Sequence, residues 1–440
     1  MYLVYGLQRS GISVIELLEN KKIQYRIWDD NNKVRYKLRK KFDKKFFYNP
    51  KFNDLNKFEK IIISPGISLK NNKLRANGIL PKLERDLNLY ISNLTNQKLI
   101  AITGTNGKST TTKLIGDILK KKKITTFVGG NIGEPLCNAL IKNKKFKFHV
   151  IELSSFQLER VNLVNSNISI ITNLSNDHLD RYKNITEYIK QKKNIITKKG
   201  LNIISIDDKY SKKIFLQKKI KNKISFSISD QTADVYMNNN YILDNYFKKN
   251  KKLIIKYISK DLEGLFNNQN ILIAYICCKF LKIPEKCFIE VIKNFKGLPF
   301  RSEIIFENKN LKVINNSKAT NINSTINSVK NYENIYLILG GIAKEKNFEI
   351  LSKYKKNIIC TYLFGKSSSM IEKKIQNFTN VKKFKNLKSL IKQIFKDVKK
   401  QPIKSHILFA PACTSYDQYK NFEERGKDFS SLIKQNIINL

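Results

Sequence analysis

The sequence predicts an α/β protein of three domains. Three observations predict it: short apolar runs that each end in a glycine- or hydroxyl-rich loop, helical periodicity after those loops, and a fresh start of the same pattern in the last third. At 440 residues the chain is long enough for about three domains. With 41% hydrophobic residues it can bury real cores, which excludes global disorder. The expected boundaries are 1–94, 95–297 and 298–440.

The first part opens with the strand-like Tyr2-Leu3-Val4-Tyr5, the loop Gly6-Leu7-Gln8-Arg9-Ser10-Gly11, and a helix carrying Val14, Ile15, Leu17 and Leu18. A second strand over 24–28 ends in Asp29-Asp30, which makes a Rossmann-like βαβ opening. The middle glycine of G-x-G-x-x-G is missing, so NAD fits poorly. Asp29 can still meet a ribose or base edge, and Arg9-Ser10 a diphosphate. Ile61-Ile62-Ile63 then leads into Ser64-Pro65-Gly66-Ile67-Ser68, another strand-end loop with hydroxyls and a glycine. These residues suit a nucleotide-sugar; they equally suit a structural lobe without a ligand.

The central part is organised around Leu99-Ile100-Ala101-Ile102, read as a buried strand, followed by Thr103-Gly104-Thr105-Asn106-Gly107-Lys108-Ser109-Thr110. A helix follows, with Leu114, Ile115, Ile118 and Leu119 on one face. Strand, tight loop and helix N-terminus build an anion site: Gly104 and Gly107 let backbone N–H groups approach a polyphosphate. Lys108 would neutralise the outer phosphates and the Ser109 hydroxyl can ligate Mg²⁺. The full P-loop pattern needs another glycine where Ile102 stands, yet GK[ST] sits where strand becomes helix. We read it as an ATP loop.

Val128-Gly129-Gly130-Asn131-Ile132-Gly133 follows, glycine-rich and polar. Phe148-His149-Val150-Ile151 is a strand delivering Glu152-Leu153-Ser154-Ser155-Phe156-Gln157-Leu158, and a carboxylate at a strand tip beside such a loop is where a Mg²⁺ ligand is wanted. Ile168-Ser169-Ile170-Ile171 delivers Asn173-Leu174-Ser175-Asn176-Asp177-His178-Leu179-Asp180-Arg181-Tyr182. With three histidines in the chain, His178 among carboxylates is informative, as a hydrogen-bonded loop residue or a ligand. Residues 201–260 are rich in Lys and Asn with short β-like runs and offer no chemistry. Asn267-Asn268-Gln269-Asn270 opens an apolar helix over 271–281, and Gly297-Leu298-Pro299-Phe300-Arg301 reads as a domain junction. Arg301 is either an ion-pair partner or a residue reaching ATP from the joint.

In the last part four strands end in polar loops. They deliver Asn315-Asn316-Ser317-Lys318-Ala319-Thr320-Asn321, Gly340-Gly341-Ile342-Ala343-Lys344, Gly365-Lys366-Ser367 and Ala410-Pro411-Ala412-Cys413-Thr414-Ser415-Tyr416-Asp417. The ligand edge of a parallel sheet is thereby lined with lysines and hydroxyls. Lys318, Lys344 and Ser415 would suit a small dicarboxylate, or be solvated loop residues.

The formal net charge of +47 invites a nucleic-acid reading, and a nucleic-acid-stimulated ATPase is the rival it suggests. The lysines are scattered, however, and no aromatic-basic RNA motif or zinc finger occurs, so no specific nucleic-acid partner is expected. No apolar run approaches the ~18 residues of a membrane span, and Met1-Tyr2-Leu3-Val4-Tyr5 running straight into Gly6 is read as no signal peptide. The six cysteines show no C-x-x-C pairing and are expected to be reduced core residues of a cytoplasmic protein.

Taken together, the motifs resemble the Mur ligases, and within them the D-glutamate-adding branch. The resemblance spans nearly the whole chain in order. It rests on Gly6…Ser10-Gly11, Ser64-Pro65-Gly66, the 104–110 loop, Glu152 to Leu158, Asp177-His178…Asp180-Arg181-Tyr182, Gly297-Leu298-Pro299…Arg301, Ser317-Lys318-Ala319-Thr320-Asn321, Leu339-Gly340-Gly341…Lys344, and Pro411-Ala412…Ser415…Asp417-Gln418…Asn421-Phe422…Arg425-Gly426. It implies an N-terminal Rossmann-like lobe for a UDP-sugar, a central P-loop domain for ATP, and a C-terminal Rossmann-like domain for the amino acid. The implied reaction activates UDP-N-acetylmuramoyl-L-alanine through an acyl phosphate and joins it to D-glutamate, in a monomer using ATP and two Mg²⁺ ions. By resemblance Glu152 with Ser109 would hold one Mg²⁺ and His178 a second, supported by a lysine carbamylated by CO₂. Counted from Tyr188 that lysine is Lys192, with Lys193 adjacent. Thr105, Asn106, Thr110, Asn131, Asn267, Asn270 and Arg301 would serve the nucleotide. Arg9, Ser10, Asp29, Ser64, Gly66 and Ser154 would serve the UDP-sugar; Lys318, Thr320, Lys344, Ser415 and Phe422 would receive D-glutamate. Four positions depart from the family pattern: Asn316 for Asp, Phe266 and Phe300 for His, and Glu345 for a small residue. The ATP loop is common to folylpolyglutamate synthases and the other Mur ligases; the C-terminal loops argue for the D-glutamate branch.

Overall fold

Three β-sheets carry the chain, in a computed structural model that describes residues 1–50, 54–69, 79–142, 145–161, 164–178, 181–248, 251–400 and 403–437. Of the motif residues above, Leu179 and Asp180 lie outside the described residues.

The first sheet contains β1 (Tyr2–Tyr5), β2 (Tyr25–Trp28), β3 (Lys60–Ile63) and β4 (Leu83–Glu84) in the order β2-β1-β3-β4, all parallel. The predicted helical face is observed: Val14, Ile15, Leu17 and Leu18 of the helix Arg9–Asn20 are buried against Val4, Ile27 and Ile62.

The second sheet contains β5 (Lys98–Thr103), β6 (Thr126–Gly130), β7 (Phe148–Glu152), β8 (Ile168–Ile171), β9 (Leu201–Ser205), β10 (Lys223–Ser227), β11 (Val235–Asn238), β12 (Tyr241–Asp244) and β13 (Lys251–Ile254). Their order is β13-β12-β11-β10-β9-β8-β5-β7-β6. The sheet is parallel from β6 to β11; β12 and β13 pair antiparallel. β5 lies between β7 and β8, where the winding reverses, so a crevice opens beyond its carboxyl end, and the glycine loop occupies that place. Residues 201–260, in which the sequence showed only short β-like runs, supply the five strands β9–β13.

The third sheet contains β14 (Glu303–Glu307), β15 (Leu311–Asn315), β16 (Ile335–Gly340), β17 (Ile358–Phe364), β18 (Asn380–Lys383) and β19 (Ser405–Phe409) in the order β14-β15-β19-β16-β17-β18. Only β14 runs antiparallel. The loops after β15, β19 and β16 are therefore neighbours at one edge, and Ile342 bridges to Thr414 across them.

The chain packs as two compact units. Met1–Tyr257 with Asn268–Lys293 holds the first two sheets; Ile258–Asn267 with Asn294–Leu440 holds the third. The helix predicted over 271–281 is Leu265–Phe280, so Asn267 and Asn270 lie inside its first two turns instead of preceding it. All six cysteines are buried and free, as expected. Among the described residues no helix is long and apolar enough to cross a membrane.

Candidate active site

The glycine loop turns sharply between β5 and the helix Lys108–Lys121, whose Leu114, Ile115, Ile118 and Leu119 are buried as read. Gly104 sits at φ +146°, and a Cβ there would stand 1.9 Å from Thr172 Oγ1. Both the backbone conformation and the space require glycine. Gly104→Ala is expected to cost about 1–3 kcal/mol of stability, read as a lower urea midpoint with an unchanged slope. The loop is tied to the strand-end segment beyond β8: Thr105 N donates to Asn173 O (2.8 Å), Asn106 N to Asn173 Oδ1 (2.9 Å), and Thr172 Oγ1 to Asn106 O (2.6 Å). Lys108 Nζ donates to Gly104 O (2.9 Å) and Thr105 O (2.8 Å), which folds its charge over the loop. Ser109 is buried and Thr110 half-buried in the first helical turn.

Glu152 ends β7 in register with Ile102 of β5, so its carboxylate reaches the mouth of the loop. It accepts from the Ser109 hydroxyl and from Asn131 Nδ2 (2.6 Å). Gly130 makes this approach possible: a Cβ there, at φ +107°, would lie 2.4 Å from Glu152 O. Hard oxygens from Glu152 and Ser109 beside a phosphate cradle suit Mg²⁺, which retains part of its water shell. Asn270 Oδ1 accepts from Thr111 Oγ1 (2.8 Å), which links that helix to the one behind the loop.

Lys192, in the helix Ile185–Lys193, is 1% exposed. Its Nζ donates to Gly104 O (2.7 Å), the carbonyl that Lys108 also uses, and to Thr103 Oγ1 (3.2 Å). Burial first, and then the Lys108 charge, holds Lys192 well below the ordinary lysine value. A lysine so placed gives up its proton more readily than a solvated one, which favours the nucleophilic amine. Lys193 instead points to Gln217 Oε1 (3.2 Å) and is partly exposed. His178, at φ +55°, has Nε2 3.6 Å from Asp177 Oδ2 and its ring 4.6 Å from that of Phe156. Among the described residues no three His, Cys, Asp or Glu side chains gather as a metal-holding group.

In the same unit Arg9 and Ser10 begin the helix Arg9–Asn20. Arg9 donates to Gly133 O, and the Ser10 hydroxyl to the buried Asp86 carboxylate, whose pKa burial raises to about 6. Asp29 accepts from Leu7 N (2.7 Å) and Asn31 N (2.9 Å), which shapes the loop after β1. Ser64 Oγ donates to Gly6 O (2.6 Å), while a Cβ on Gly66 would meet nothing within 4 Å. Ser154 Oγ lies 3.1 Å from Gln157 Oε1.

In the second unit the residues read as amino-acid-binding lie in the adjacent loops beyond β15, β16 and β19. Lys318 Nζ stands 3.9 Å over the ring of Phe422, Thr320 and Lys344 are half-buried, and Ser415 is buried. Arg301 is half-buried, and Asn267 Nδ2 donates to Glu263 O (3.1 Å). Arg425, quoted only as part of the C-terminal motif, is fully buried. It donates to Ser317 Oγ (3.0 Å), Ser317 O (2.7 Å) and Cys413 O (3.0 Å), which locks two of these loops together. Three of the departures have local partners. Asn316 Nδ2 donates to Ser328 Oγ (2.7 Å), and Glu345 accepts from Ile322 N (3.2 Å) at the start of the helix Ile322–Val329. Phe300 adopts φ +63° and packs on Gly426.

Comparison with known proteins agrees with this construction. The chain matches the Mur ligase middle domain over residues 102–278 and the Mur ligase MurD-like N-terminal domain over residues 1–79. The chain belongs to the Mur ligase family. Within it, a relative from Rickettsia prowazekii (strain Madrid E) is 35% identical, covering 98% of this chain and 97% of its own. Another, from Buchnera aphidicola subsp. Schizaphis graminum (strain Sg), is 38% identical with the same coverage. Both are UDP-N-acetylmuramoylalanine–D-glutamate ligases. The fold is shared with the UDP-N-acetylmuramate-alanine ligase MurC of Thermotoga maritima, at TM-score 0.63 and 18% identity over 99% of both chains.

Proposed function

We infer that this chain is an ATP-dependent ligase that forms the amide bond between UDP-N-acetylmuramoyl-L-alanine and D-glutamate, in peptidoglycan precursor synthesis, releasing ADP and phosphate. The observation that carries the reading is the meeting of the glycine loop, Lys108 and the Ser109–Glu152 pair in a chain that matches D-glutamate-adding ligases end to end. Peptidoglycan precursor chemistry on a UDP carrier, and the lack of a spanning helix among the described residues, support a cytoplasmic enzyme. We take it to act as a monomer, with domains over 1–94, 95–297 and 298–440.

A carboxylate is a poor electrophile at neutral pH, so it must be activated before an amine can attack. Transfer of the γ-phosphoryl group of ATP to the alanine carboxylate makes an acyl phosphate. The D-glutamate amine then attacks that carbonyl carbon, the C–O bond to phosphate breaks, and the amine proton is lost to solvent or base. Two anions must meet for the first step, and fixed positive charge lowers that barrier. Lys108 supplies it, and the backbone N–H groups at the N-terminus of the helix Lys108–Lys121 would face the phosphates. Bound Mg²⁺ would neutralise further phosphate charge. Ser109 and Glu152 are the residues suited to one ion, and His178 with a carbamate on Lys192 to the second. Asn131, Asn267, Asn270 and Arg301 are assigned to the nucleotide. Arg9, Ser10, Asp29, Ser64, Gly66 and Ser154 are assigned to the UDP-sugar, and Lys318, Thr320, Lys344, Ser415 and Phe422 to D-glutamate.

The test is phosphate release from ATP and Mg²⁺ with UDP-N-acetylmuramoyl-L-alanine, adding D-glutamate, L-glutamate or duplex DNA separately. Release should require D-glutamate and be matched by amide product. Release driven by DNA and indifferent to D-glutamate would sink the reading.

A further inference from the structure

Two arginines and a glutamate of the first unit form a largely buried cluster that the chemistry above does not use. Arg85 follows β4 and is fully buried; Glu159 lies in the segment beyond β7; Arg181 stands three residues after His178. The Glu159 carboxylate takes Arg181 along both edges, Nε to Oε1 at 3.1 Å and Nη2 to Oε2 at 2.8 Å. It also accepts from Arg85 Nη2 and from the Tyr182 hydroxyl (2.9 Å).

Other guanidinium donors of the two arginines go to one stretch of backbone. Arg85 Nη1 donates to Ser64 O (2.9 Å), Ile67 O (3.2 Å) and Ile63 O (3.4 Å). Arg181 donates to Pro65 O (2.7 Å) and Ile67 O (3.2 Å). The cluster holds two cations and one carboxylate, and the carbonyl dipoles at 63, 64, 65 and 67 offset the surplus positive charge. The loop is thus held by its carbonyls, with open space beyond Gly66. Arg181 has a second contact: its guanidinium lies 3.9 Å from the Phe156 ring, which meets the His178 ring edge-on at 4.6 Å.

We propose that Arg181, held by Glu159 beside Arg85, is a positioning residue that sets the 64–67 loop and the His178 ring in one geometry, so that the UDP-sugar subsite and the cation subsite stay aligned. Lysine cannot replace it, because a single ammonium has no planar fork to serve Glu159, Pro65 O and Ile67 O together. The proposal rests on the ligase reading for its substrate and on geometry for the clamp, and the two are tested apart.

The experiment compares the wild-type full chain with Arg181→Lys and Glu159→Gln by hydrogen–deuterium exchange and steady-state kinetics. Without ligands, amide exchange in the peptide spanning 61–69 should quicken roughly tenfold in both variants, while the 99–109 peptide stays unchanged. In turnover, KM for UDP-N-acetylmuramoyl-L-alanine should rise roughly tenfold and half-saturating Mg²⁺ severalfold, with ADP affinity within about twofold of wild type. Adjacency becomes coupling only if both ends respond, so the double variant should lose less than the sum of the singles. A lowered Tm with unaltered exchange at 61–69 and unaltered KM and Mg²⁺ dependence would overturn the proposal and leave the cluster a structural ion pair. If one variant fails to fold, the other gives the same two readings. If wild type shows no D-glutamate-dependent turnover, the ligase reading fails while the exchange result still decides the clamp.

Discussion

Lys108→Met is expected to lower kcat roughly 10³-fold while leaving KM for the UDP-sugar substrate nearly unchanged. Methionine keeps the length and apolar stem of the side chain and removes only the charge and the donors. Those donors now reach Gly104 O and Thr105 O, so Lys108 already lies folded over the phosphate cradle. Its charge is felt most where negative charge gathers between the transferring phosphoryl group and the attacking carboxylate, which is why the loss falls on kcat. The measurement is D-glutamate-dependent phosphate release at saturating ATP. A loss under about tenfold would mean that Lys108 does not meet the phosphates. The variant has a second consequence. The Lys108 charge is one cause of the low pKa of Lys192, so removing it moves Lys192 back toward the charged form and makes it a poorer nucleophile for CO₂.

The parts of this site legible from sequence are those in which one short segment carries both the element and the chemistry. The apolar run 99–102 and the glycines after it fix β5 and its loop, because strand burial and backbone freedom are local properties. Glu152 at the tip of β7 and the polar loops after β15, β16 and β19 follow the same logic. Pairings across long sequence separations leave no such mark. Arg85 and Glu159 stand 74 residues apart, and neither position differs in composition from the many exposed charges of this chain. β9–β13 read only as short β-like runs for a related reason: lysines interrupt the alternation, as in Lys251-Lys252 of the edge strand β13, so the period-2 signal is weak. Arg425 illustrates the same limit, since only the folded loops reveal that its guanidinium is spent on Ser317 and Cys413.

Lys192 is the residue whose role depends most on burial, and its replacement should have an effect as large as that of Lys108. Lys192→Met is expected to fold and to lose roughly 10³-fold in kcat, whereas Lys193→Met should stay within about threefold of wild type. Wild-type enzyme held in CO₂-free buffer should lose activity, and bicarbonate should restore it. The reaction balances as a neutral amine attacking CO₂ to form N–C, giving a carbamate and one proton: a neutral buried amine becomes a negative carboxylate. The sign of the pKa shift sets where this works. The folded value lies below 10.5, so the native amine is neutral at pH values where a solvated lysine is still charged. In the CO₂-free protein the unfolded state binds the extra proton, so stability should rise with pH through the window between the folded value and 10.5. The direct measurement is ¹³C NMR after addition of ¹³C-bicarbonate. A carbamate signal present in wild type and Lys193→Met, and absent from Lys192→Met, would assign the modification. The same signal surviving in Lys192→Met would remove Lys192 from the site.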